Sequence, residues 1–170
     1  TDVLDVQHTL NELLGTRDKK DVDKGFNYAA ADLNFDDNYN ILDVVKTVNI
    51  VIENQNVESE ATNSLMASGA RLAQAAVFAD ENMIVINSLV DVAAIDVILS
   101  GVTSSQIRQK LSKSDFQMST RDIDGGVRIV IFSPIGEVIP AGETVLFTMS
   151  NYGVPTWVKC ADVEANEIKA

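Results

Sequence analysis

The chain has 170 residues and carries 13 basic against 25 acidic side chains, a net charge of −12 with an isoelectric point near 4.3. That balance argues against nucleic acid, whose phosphates need a basic face, and against an anionic membrane surface. An apolar fraction of 46% supports a packed core and excludes a chain too polar to fold. The single cysteine, Cys160, allows no intrachain disulfide, and no apolar run approaches membrane-spanning length.

The first segment, Val3 to Leu14, places Val3, Leu10, Leu13 and Leu14 on one face at helical spacing, and Gly15 stands where a helix would end. His8 falls on the polar face with no cysteine or second histidine near it, so it suggests neither zinc nor catalysis. Residues 15–31 form a charged, solvated connection that closes on Phe26, Tyr28 and the alanines 29–31. Next comes Asp32-Leu33-Asn34-Phe35-Asp36-Asp37-Asn38-Tyr39-Asn40-Ile41-Leu42-Asp43. Oxygen-bearing side chains stand at loop positions 1, 3, 5, 7, 9 and 12, the ligand spacing of an EF-hand-type calcium loop.

In that reading Asp32, Asn34, Asp36 and Asp43 bind Ca2+ through side chains, Asn38 through its carbonyl, and Asn40 directly or through water. Position 6 is Asp37 where glycine is usual, and position 12 is Asp43 where glutamate is usual. The bland alternative is a polar turn that binds nothing. The following run, Ile41 to Ile52, is rich in β-branched residues, yet Ile41, Val44, Val48, Val51 and Ile52 fall on one helical face, which predicts a helix.

This run repeats the first segment. Val3–Leu14 aligns with Ile41–Ile52 at an offset of 38 residues, with Leu, Asp, Val, Thr and Asn identical at matching positions. A duplicated calcium loop and helix, with D-x-N-x-D opening the loop and Leu-Asp-Val opening the helix, resembles a type I dockerin over about residues 1–54. The resemblance implies calcium-dependent docking onto a cohesin and an extracellular, secreted setting, with this chain mature or trimmed. Only the end of the first loop is present, so the resemblance carries over Asp5, and Asp2 beside it, as the ligands of repeat one. It also implies that loop positions 10 and 11 meet the cohesin. Here they are Ile41 and Leu42, and Val3 and Leu4 in the first repeat, an apolar set suited to a dry, permanent contact or to filling the module's own core.

A polar, acidic stretch follows, and residues 55–66 read as a linker. From 67 to 170 the pattern is that of short strands: Arg71–Phe78, Met83–Asn87, Val90–Leu99, Phe116–Thr120, Val127–Phe132, Thr144–Met149 and Trp157–Ala161. Turn residues separate them at Asp80-Glu81-Asn82, Asp124-Gly125-Gly126, Pro140-Ala141-Gly142 and Tyr152-Gly153-Val154-Pro155, while Thr103–Leu111 reads as a short crossing helix. The expectation is an antiparallel sandwich of jelly-roll or Ig-like type. Val92–Leu99, Ile139–Phe147 and Ala161–Ile168 resemble strands and turns of cohesin sandwiches.

Asp122-Ile123-Asp124-Gly125-Gly126 reads as a hairpin turn, and Asp162, Glu164 and Asn166 alternate without completing a metal loop. Trp157 and Tyr152 would serve as a sugar-stacking platform or as core. No catalytic constellation stands out, so no enzyme activity is expected.

The sequence thus predicts an α + β chain of two modules, a helical EF-hand-like pair and a cohesin-like antiparallel β-sandwich. The expected function is an extracellular, calcium-dependent interaction module. Its partner is a cohesin-like domain of a neighbouring subunit, giving a head-to-tail homo-oligomer, filament or surface scaffold, or one on another secreted protein. Docking within the same chain is the alternative. Carbohydrate binding, with a polysaccharide as partner, or a non-catalytic region of a larger secreted enzyme also stays open.

Overall fold

The computed structural model describes residues 3–15, 28–33, 35–55 and 74–169. Three helices come first: α1 (Val3–Leu14), α2 (Tyr28–Ala31, a single turn) and α3 (Ile41–Gln55). α3 is helical despite its β-branched content because its apolar residues are buried at helical period. Ile41, Leu42, Val44, Val45, Val48 and Val51 are all at most 5% exposed, which outweighs the few tenths of a kcal/mol that each β-branched residue costs a helix. α1 buries Val6, Leu10, Leu13 and Leu14 against the same cluster. The expected linker beyond Gln55, and the strand expected from Arg71 as far as Ala73, lie outside the described residues.

Nine strands follow: β1 (Ala75–Asp80), β2 (Met83–Ser88), β3 (Ala94–Ser100), β4 (Ile107–Gln109), β5 (Gln117–Ile123), β6 (Gly126–Phe132), β7 (Gly142–Met149), β8 (Val154–Ala161) and β9 (Glu167–Ile168). They form two antiparallel sheets, one in the order β1-β2-β7-β4 and one in the order β5-β6-β3-β8-β9. The result is a mostly β fold, sandwich-like, with one buried cluster shared between the sheets. Ile84, Ile86, Leu146 and Phe147 enter that cluster from the first sheet, and Ile95, Val97, Leu99, Ile129 and Ile131 from the second. The long run Thr103–Leu111 is not a helix. Ser104–Gln106 makes one 3-10 turn and Ile107–Gln109 then pairs with β7, because Ile107 finds a buried place there.

The outer face of the five-stranded sheet carries the helices. Along β3, Ile95, Val97 and Leu99 point between the sheets, while Ala94 belongs to the cluster under α1 and α3. Along β6 the split is Val127, Ile129 and Ile131 against Val130 and Phe132. Both faces of these central strands are covered, so the strands read as nearly continuous apolar runs. Each run contains one charge. Asp96 of β3 is 1% exposed, and Arg128 of β6 meets it with Nε at 3.0 Å and Nη2 at 2.5 Å.

That pair reaches the helices. Arg128 Nη1 donates to the Leu13 carbonyl at 2.9 Å, and Arg121 Nη1, from the neighbouring β5, donates to the Leu14 carbonyl at 2.6 Å. Two guanidinium groups therefore satisfy carbonyls that the end of α1 leaves free. Gly15 stops the helix as expected, with φ +63 and its N–H on the Glu12 carbonyl at 2.9 Å. A Cβ there would stand 2.1 Å from Arg121 Nη1. On the other side, Asn49 Nδ2 of α3 donates to the Val163 carbonyl at 2.8 Å, in the turn between β8 and β9.

Two outcomes follow for unfolding in urea. Gly15→Ala is expected to cost roughly 1–3 kcal/mol, from left-handed strain and the displaced guanidinium. Arg128→Met is expected to cost roughly 3–5 kcal/mol, because it strands the Asp96 carboxylate. Cys160 supplies a pH test. Burial, followed by the charges of Asp96 and Glu167, pushes its thiol up from 9.0 to about 12. The folded chain therefore keeps the proton after the unfolded chain has lost it. Stability from this group is intact below about pH 9 and falls by about 1.4 kcal/mol per pH unit until the folded thiol ionises. Cys160→Ala should flatten that part of the alkaline slope.

Candidate metal loop

The loop leading into α3 is held by its own acids. Asp32 Oδ1 accepts the Asp36 N–H at 3.2 Å and Oδ2 accepts the Asp37 N–H at 3.0 Å. Asp36 Oδ1 accepts the Asn38 N–H at 2.8 Å. These bonds curl the segment into a tight turn and aim backbone amides at carboxylates. Position 6, where a calcium loop needs a left-handed residue, is Asp37 at φ +60. The departure from glycine is thus absorbed by a residue that tolerates this conformation better than most.

Asp43 and Asn40 have a second task that the loop spacing concealed. Asp43 is 0% exposed and takes the Leu33 N–H on Oδ1 and the Asn40 N–H on Oδ2, both at 2.8 Å. Asn40 Oδ1 in turn accepts the Leu42 N–H at 3.0 Å, and Thr47 Oγ1 donates to the Asp43 carbonyl at 2.8 Å. This is a capping-box exchange at the start of α3, with Asn40 as the cap and Asp43 three residues on. The Asn-x-x-Asp spacing ahead of an apolar run is the signal that would have found it. The Asn38 carbonyl meanwhile accepts Asn40 Nδ2 at 2.7 Å.

Aromatic side chains tie the loop to α1. The Tyr39 hydroxyl donates to the Thr9 carbonyl, the Tyr28 hydroxyl donates to Glu12, and the two rings meet edge to face at 6.0 Å. Burial first, then the charge of Asp43, holds the Tyr39 hydroxyl protonated far above the usual phenol range. Phe35 stands apart. It has φ +58 and is 85% exposed, so a bulky residue bears left-handed strain with no burial to offset it. An aromatic residue between the ligand positions was its sequence signal.

Of the residues expected to bind metal, Asp32, Asp36, Asn38, Asn40 and Asp43 share this turn, while Asn34 and Asp2 lie outside the described residues. Asp5 lies in α1, but its side chain, like those of Val3 and Leu4, is outside the described part. Among the described residues no three His, Cys, Asp or Glu side chains converge as a metal-holding group. The donor set is nonetheless all hard oxygen, the type that Ca2+ takes, and each carboxylate oxygen that accepts one amide retains a second lone pair.

For Ile41 and Leu42 the sequence left two roles open, a docking contact and the filling of the module's own core. They are 0% and 5% exposed, packed in the cluster that joins the helices to the sheet. In the folded chain they fill its own core and present no surface. Asp162, Glu164 and Asn166 are a turn: Asp162 Oδ1 accepts the N–H groups of Glu164 and Asn166 at 2.9 and 2.8 Å. Trp157 is 42% exposed with the Arg128 guanidinium 5.9 Å from its ring centre, and Tyr152 is exposed in the turn before β8.

No protein-family model matches the chain, and no curated protein sequence matches it.

Asp43→Ala is expected to lower unfolding stability by roughly 2–4 kcal/mol, since it orphans two backbone amides at a buried site. Asp43→Asn, which retains one acceptor oxygen, should cost less. Chemical denaturation in chelator checks both without any contribution from metal.

Proposed function

We propose that the chain is an extracellular, non-enzymatic interaction module whose helix pair is stabilised by Ca2+ at the loop 32–43. The observation that carries this reading is the turn itself. It combines an all-oxygen alternation, a left-handed residue at position 6, and Asp43 at the junction of loop and helix. Asp32, Asp36, Asp43, the Asn38 carbonyl and Asn40 would hold the ion, and the ion would supply positive charge where several carboxylates crowd one turn. The tyrosine contacts to Thr9 and Glu12 would pass that stabilisation on to α1.

The resemblance to a dockerin beside a cohesin-like sandwich supports assembly as the purpose. The burial of Ile41 and Leu42 favours the version in which helices and sandwich dock within one chain. The outside partner then meets what stays exposed, and Phe35 at the loop surface is the best-placed apolar contact. A second reading, polysaccharide binding, is favoured by Trp157, which stays 42% exposed on β8.

The test is thermal unfolding of the whole chain in millimolar Ca2+ and in excess chelator. Saturation at a hundredfold over Kd adds about 2.7 kcal/mol, a rise in Tm of several degrees for a domain of this size. Asp32→Ala with Asp36→Ala should abolish the rise. An unchanged Tm in wild type would overturn the calcium reading.

A further inference from the structure

The two long sides of the sandwich differ. On one, the N–H groups of Gln74 and Ala75 both donate to the Lys169 carbonyl, at 2.8 and 3.0 Å, stitching the start of β1 to the end of β9. On the other, β4 ends one sheet and β5 ends the other, each with a single neighbour in its sheet. Between them opens a groove of about 530 Å³. Its floor is Ile107, Phe116 and Met118, which belong to or pack against the core between the sheets.

The groove's rim is cationic. Arg108 and Lys113 line it, Lys110 lies between them in sequence, and no carboxylate is among the lining residues. Two acids stand near this stretch in sequence, Asp115, which accepts from Ser114 at 2.8 Å, and Asp122, which accepts the N–H and hydroxyl of Ser104 at 2.6 and 2.9 Å; they keep their charge, and Arg108, Lys110 and Lys113 outnumber them. Among the described residues Lys113 has no hydrogen-bond or ion-pair partner, while Arg108 donates only to the carbonyls of Ser105 and Ile107. In a chain of net charge −12 this is a local reversal of sign. The gap is spanned by Gln109, whose Nε2 reaches the Phe116 carbonyl at 2.9 Å, a neutral contact that can be exchanged for another amide.

We infer that this side binds an extended acidic peptide segment of another protein by strand addition. Edge strands supply backbone hydrogen bonds, the apolar floor takes alternate side chains, and Arg108 with Lys113 takes the carboxylates between them. The charge complement selects an acidic over a basic segment, and the terminal strands β4 and β5, each with one strand neighbour, select an extended backbone once the side-chain contacts on the Ile107 and Phe116 carbonyls give way. The site is remote from the loop 32–43 in sequence and needs no metal, so it stands whether or not the calcium reading does.

The test uses the full chain in chelator and a fluorescently labelled, end-blocked seven-residue peptide of alternating valine and glutamate, followed by anisotropy. The expected result is saturable binding that weakens roughly fivefold in Lys113→Glu and more in Arg108→Glu with Lys113→Glu. The lysine-for-glutamate peptide should not bind, and N-methylation of alternate peptide amides should weaken binding about tenfold. Lys113 bonds to nothing described, so its variant should fold as wild type, as circular dichroism will show. Equal binding to wild type and Lys113→Glu, indifference to N-methylation, or no binding at millimolar peptide would each overturn the proposal. Self-association of the chain that is lost in Lys113→Glu would seat a second copy there and overturn it too.

Discussion

A carboxylate buried in the middle of a sheet sets the arrangement of everything outside that sheet. Asp96 is 1% exposed, and a charge so placed is tolerable only if it is paired and hydrogen-bonded. Arg128 answers with two of its N–H groups and has Nη1 left for the Leu13 carbonyl. The ion pair therefore fixes where α1 ends. Arg121 and the left-handed Gly15 complete the stop, α3 lies against α1 and the sheet, and the start of α3 holds the loop. A polar constraint gives position and the apolar cluster gives energy, the division of labour expected when a buried ion pair contributes more to register than to stability.

The loop serves structure and candidate function with the same atoms. Asp43 caps α3, supports the Leu33 amide and stands at the twelfth ligand position. In such a turn the helix start and the ligand set cannot be tuned separately. Changing Asp43 changes the fold before it changes any metal affinity, whereas Asp32 and Asp36, whose carboxylates accept amides of the loop itself, are the better probes of binding.

Much of this architecture was legible in the residues. The repeat between Val3–Leu14 and Ile41–Ile52 located both long helices, Gly15 marked a helix end, and glycine and aspartate at 124–126 placed the β5–β6 hairpin. What failed was anything that depended on which surfaces would meet. Thr103–Leu111 is rich in residues that suit a helix, yet an open place beside β7 drew Ile107–Gln109 into a strand. For Ile41 and Leu42 a docking face and core filling both stayed open, because a single helix does not reveal that a sheet of the same chain will cover it. Asp96 and Arg128, the lone charges in two apolar runs, were visible as such. Their pairing required the register of β3 against β6, which no local pattern carries.

The clamp on α1 also bears on the order in which the molecule can assemble. Its hydrogen bonds join residues 107 and 115 positions apart, and the cluster beneath the helices is finished only by Ala161 and Ala165. On a ribosome, the helices leave the exit tunnel long before their platform exists. At roughly 5–20 residues per second their apolar faces wait on the order of ten seconds or more for the sheet to arrive. Whatever shields those faces meanwhile, a chaperone or a transient pairing of the two helices, acts on a species that the finished fold conceals.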